Sequence, residues 1–100
     1  MIAIEIRVNG KLKATCGADD VRQLVALVAA RRPKSEAAGY ACLIECTGVR
    51  PKDASTDEVL KWLNIKIALG DEVSFRVVEA AQAQGPVDSQ DIPAYGPTDN

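Results

Sequence analysis

A chain of 100 residues with a formal net charge of −2 is the size of one domain and lacks the positive excess that draws a protein to nucleic acid. It contains no histidine, which removes the commonest general base, the commonest metal ligand and every Ser-His or Cys-His nucleophile. No apolar run approaches the roughly 18 residues of a membrane span, and Met1–Ile4 enters a strand without the parts of a secretory signal. The sequence therefore predicts a cytoplasmic protein without a membrane partner.

The first segment has the clearest pattern. Ile2, Ile4, Ile6 and Val8 alternate with Ala3, Glu5, Arg7 and Asn9, which predicts a strand burying its even positions. Leu12, Ala14 and Cys16 continue at even positions beyond Asn9-Gly10, so the chain is expected to return as an antiparallel hairpin. A two-residue Asn9-Gly10 turn pairs Arg7 with Leu12 and mixes the faces. A three-residue loop of Val8-Asn9-Gly10 pairs Ile6 with Leu12 and Glu5 with Lys13, and is the register predicted. Asp20 and Gln23 then have capping-box spacing. Val21, Leu24, Val25 and Val28 follow at i, i+3, i+4 and i+7, predicting a main helix that ends at Arg31, Arg32 and Pro33.

Lys34–Gly39 reads as a loop and Tyr40–Thr47 as a third strand. Tyr40, Cys42, Ile44 and Cys46 form its inner row, with Ala41, Leu43, Glu45 and Thr47 facing solvent. Ser55-Thr56-Asp57-Glu58 has a second capping-box spacing, predicting one or two helical turns over Val59, Leu60 and Trp62. Ile65, Ile67 and Leu69 alternate in an extended segment before the turn pair Gly70-Asp71. Val73, Phe75 and Val77 share one face of a last strand ending near Glu79, expected at the centre of the sheet. Residues 80–100 contain Pro86, Pro93, Pro97 and three aspartates but no basic residue, so they are expected to form a flexible acidic tail. The folded domain is then residues 1–79, with 12 basic and 11 acidic groups.

This order of elements resembles the ubiquitin-like β-grasp fold. The resemblance implies an α+β architecture: a mixed sheet of four to five strands packed on one main helix, with the last strand parallel to the first and lying between it and the third. Ile67-Ala68-Leu69-Gly70-Asp71-Glu72-Val73 is also similar to the turn before the last strand of small sulfur-carrier proteins. Those carriers end in Gly-Gly, whereas none of the seven glycines here adjoins another. The run from Trp62-Leu63 to Gly70-Asp71-Glu72, followed by Val77-Val78-Glu79, is similar to a group of small bacterial proteins to which no activity is attached.

Few residues suggest chemistry. Cys42 and Cys46, four apart on a strand, lie roughly 13 Å apart and cannot form a disulfide. With Cys16 they could converge on zinc only as an incomplete set without a Cys-x-x-Cys pair, so buried free thiols and no metal are expected. Asp71 and Glu72 point to opposite faces of a strand, which disfavours joint acid–base work. Trp62 is expected to anchor a loop in the core. The implied strand order gathers Arg7, Leu43, Glu45, Arg76 and Val78 on one outer sheet face, where apolar area beside arginine suits a protein contact. The expected function is a non-enzymatic protein-binding module without a cofactor, contacting an unidentified protein partner through that face. A homodimer through an exposed edge is a further expectation. A toxin-neutralising immunity-type protein and a degenerate sulfur-carrier-like protein are the alternatives.

Overall fold

The computed structural model describes residues 1–32 and 41–94. Seven strands run through the described residues: β1 (Ile2–Val8), β2 (Lys11–Gly17), β3 (Gln23–Arg31), β4 (Ala41–Pro51), β5 (Thr56–Ile67), β6 (Val73–Glu79) and β7 (Asp88–Pro93). They form two antiparallel sheets, β2-β1-β6 and β3-β4-β5-β7, packed face to face. None of the described residues is helical. The α+β β-grasp expectation is thereby corrected to an all-β sandwich.

The predicted main helix is β3, paired along its length with β4 from Gln23 opposite Val49 to Arg31 opposite Ala41. Its sequence fits both periods, since Leu24, Ala26, Val28 and Ala30 also alternate. β-Branched Val25 and Val28 suit a pleated surface better than a helix, and the neighbouring strand supplies backbone partners throughout. The second predicted helix lies within β5, whose first half is flanked by β4 on one side and β7 on the other. Position between two strands overrides the capping-box spacing at Ser55–Glu58.

The last strand of the expected fold is also corrected. β6 runs antiparallel to β1, with Ile2 opposite Glu79 and Val8 opposite Val73, and occupies the sheet edge while β1 holds the centre. The hairpin closes through a two-residue turn, with Val8 opposite Lys11 and Arg7 opposite Leu12. Asn9 and Gly10 have φ of 52° and 81°, the left-handed pair that such a turn requires. A bulge then leaves Lys13 unpaired and sets Ile6 opposite Ala14 and Ile4 opposite Cys16. That extra residue restores the even positions to one face, which is how the two-residue turn avoids mixing them. Leu12, on the turn side of the bulge, is left 51% exposed.

The core lies between the sheets. Ile4, Ile6 and Val8 from β1 and Ala14 and Cys16 from β2 meet Ile44 and Cys46 from β4 and Leu60 and Trp62 from β5. Burying each of the larger aliphatic side chains contributes about 1.5–3 kcal/mol. Residues 80–94, expected within a tail, take part in this fold. Gln84 bridges to Cys16, and β7 pairs with β5 from Thr56 opposite Pro93 to Lys61 opposite Asp88. The predicted Lys34–Gly39 loop, Pro33, Tyr40 and residues 95–100 lie outside the described residues.

Candidate protein-binding surface

The five residues predicted to share one surface are divided between the sheets. Arg76 lies opposite Glu5, Val78 opposite Ala3 and Arg7 opposite Ser74, so Arg7, Arg76 and Val78 occupy the outer face of β2-β1-β6. Arg7 donates to Glu5 at 2.8 Å. Leu43 and Glu45 belong to the other sheet, opposite Ala29 and Leu27, on the face turned away from Ile44 and Cys46. There Arg31 donates to Glu45 at 3.3 Å. Local alternation puts Arg7, Arg76 and Val78 on one row of their sheet and Leu43 and Glu45 on one row of theirs, and strand order separates the two groups.

The two sides of the sandwich are closed differently. On the side of β2 and β5, the 84–88 segment covers the gap. Thr15 donates its amide to the Gln84 side-chain oxygen at 2.8 Å, Gln84 donates its amide to the Thr15 carbonyl at 2.8 Å, and Trp62 Nε1 donates to the Gln84 carbonyl at 2.7 Å. The outer strand of that side, β7, carries Asp88, Asp91 and Pro93, a polar edge that resists further pairing.

The side of β6 and β3 is open among the described residues. Val73, Phe75 and Val77 lie opposite Val8, Ile6 and Ile4 and so belong to the inner row of their sheet. Yet Phe75 is 40% and Val77 70% exposed, beside Ile2 at 64%. Val28, on the inner row of β3 opposite Ile44, is exposed as well. A cleft of about 350 Å³ opens here, lined by Ile2, Ile4, Val77, Val21 and Leu24, with Asp19 and Arg22 among its polar groups. The sequence signal for Phe75 and Val77 was their alternation, which reads as core; their exposure follows from the lack of a described strand facing β6.

The remaining chemistry-bearing groups have structural surroundings. Asp71 accepts from the Ala68 amide at 2.7 Å and from Asn9 Nδ2 at 3.0 Å, and these donors, the amide first, hold its carboxyl below the usual range. Asn9 Oδ1 in turn accepts from the Glu72 amide at 3.0 Å, so the two turns are stitched together. Arg50 donates to Glu58 at 2.8 Å and lies 3.6 Å from Asp20. Cys16 and Cys46 are fully buried and Cys42 is partly exposed; among the described residues no three potential ligands cluster as a metal site. No described helix is long and apolar enough to cross a membrane.

Fold and surface together define a small two-sheet β-sandwich with, among the described residues, one closed and one open apolar side. No family model matches this chain, and no curated protein or solved structure is significantly similar to it.

Proposed function

We propose that this protein is a non-enzymatic, cytoplasmic binding module that receives an extended segment of another protein along β6. The observation that carries this reading is the exposed inner-row pair Phe75 and Val77 on an edge strand that pairs, among the described residues, with β1 alone. An added strand can take the free backbone groups of β6, while its alternate apolar side chains cover Phe75, Val77 and Ile2. Main-chain pairing supplies affinity and the apolar row supplies register. Arg76 and Val78 on the other face of β6, with Arg7 beside them, lie within reach of the same segment. Leu43 and Glu45, on the second sheet, are not part of this surface. The missing histidine and the engagement of Asp71 by turn donors also favour binding over catalysis.

Affinity capture from the source cell, with wild type beside a Val77→Asp variant, tests the proposal. Val77 is exposed enough for the variant to keep its fold, which circular dichroism checks. A protein retained by wild type and lost by the variant supports the β6 site. Equal retention by both overturns it. A concentration-dependent dimer that the variant abolishes identifies the partner as a second copy of this chain.

A further inference from the structure

The thiols of Cys16 and Cys46 have no part in the binding surface, yet their placement is specific. Cys16 projects from the inner row of β2, two residues after Ala14, and pairs through its backbone with Ile4. Cys46 projects from the inner row of β4, between Ile44 and Gly48. Each side chain is fully excluded from solvent, and the two thiols meet across the sheet interface within hydrogen-bonding reach. Two buried thiols in contact, one from each sheet, are more than a pair of small apolar fillers.

We propose that Cys16 and Cys46 form a redox site that closes into a disulfide linking the two sheets. Both cysteines are free in the structure, which is the reduced form of the site. Contact with Cys16, the larger influence, favours the thiolate of Cys46, while the same contact and burial disfavour ionisation of Cys16. Either sulfur can attack once local opening admits an oxidant, and this contact favours Cys46. A low-molecular-weight disulfide such as oxidised glutathione supplies the balance. The Cys46 thiolate attacks one of its sulfurs, forming a mixed disulfide and releasing one glutathione thiolate, which takes up a proton. Cys16 then gives up its proton and attacks the Cys46 sulfur of the mixed disulfide, releasing the second glutathione. The protein loses two electrons and two protons as its S–S bond forms, and the broken glutathione disulfide gains them.

Cys42 shares the inner row of β4 but lies at its far end, opposite Ile67. It is the internal control. Because the link joins residues 30 positions apart, it constrains the unfolded chain substantially, and the oxidised protein should melt about 10 °C higher than the reduced one.

The test uses the full chain carrying Cys42→Ser, so that both buried thiols keep their native surroundings. It is incubated with oxidised glutathione, digested without reductant and mapped by mass spectrometry, with Tm measured before and after. The expected result is a Cys16–Cys46 cross-linked peptide from monomeric protein, a raised Tm, and reversal of both by dithiothreitol. The wild-type chain should give the same cross-link with Cys42 outside it. Glutathione left singly on either buried cysteine, or free thiols that persist after incubation at a temperature where amide exchange shows the core opening, overturns the proposal. So does a wild-type map in which Cys42 takes the place of either partner.

Discussion

The ring of Trp62 occupies the space that Gly48 leaves on the adjacent strand: a Cβ at position 48 would lie 2.9 Å from Cζ3 and 3.2 Å from Cη2 of the indole. The pairing of β4 with β5 shifts at this point. Cys46 lies opposite Leu63 and Thr47 opposite Lys61, so Trp62 is the extra residue of a bulge. Gly48→Ala should therefore destabilise the fold by about 1–3 kcal/mol through overpacking. The backbone carbonyl of Gln23, 3.0 Å from the same Cβ position, limits relief on the other side. Urea unfolding followed by tryptophan emission measures the loss, and an unchanged midpoint would show that the ring moves freely.

Trp62→Phe keeps most of the apolar area but removes the donor to the Gln84 carbonyl. The expected loss is about 1–2 kcal/mol. It should be accompanied by faster amide exchange at Gln84 and Val87, whose N–H groups donate to Thr15 and Lys61. Exchange that quickens uniformly across the molecule would instead mean that the indole acts only by filling volume.

Asn9 combines a left-handed φ with side-chain bonds to Asp71 and Glu72, whereas Gly10 contributes conformation alone. Asn9→Ala should cost about 2–3 kcal/mol and Gly10→Ala about 1–2 kcal/mol. Chemical denaturation of both variants checks the order, which reverses if the bonds between the two turns contribute nothing.

The lowered carboxyl of Asp71 links stability to acid. Its folded form titrates below the unfolded value of about 3.9, so the stabilisation is fully present above that pH and is lost as pH falls through the folded value. Wild type should lose stability progressively below about pH 4, and Asp71→Asn should show a shallower decline over the same window. Melting temperatures of both proteins from pH 6 to pH 2.5 test this, and parallel curves would assign the acid sensitivity to other carboxylates.

How legible the fold was depended on contrast between the two faces of each strand. β1 alternates isoleucine with Ala3, Glu5 and Arg7, and β6 alternates Val73, Phe75 and Val77 with Ser74 and Arg76, so both were identifiable as strands. β3 carries apolar residues on both faces, from Leu24 through Ala30, and its alternation is muted enough for a helical period to fit equally well. β7, Asp-Ser-Gln-Asp-Ile-Pro, has almost no apolar content because an edge strand needs only backbone groups to pair. Strand order was the larger gap. The outward positions of Arg76 and Leu43 follow from local alternation, but their placement on different sheets depends on long-range pairing that the spacing of apolar residues does not encode.

Because β7 is the last described strand and pairs with the outer half of β5, the other six can find their neighbours before it arrives. Until then the backbone of Thr56–Lys61 stands uncapped beside Val59 and Leu60, a template that any passing extended chain could join. A protein clipped near Glu79 would accordingly be sticky rather than merely shorter. The polar character of Asp88–Pro93 makes it an apt final cover: it seals a vulnerable edge without offering an apolar one of its own.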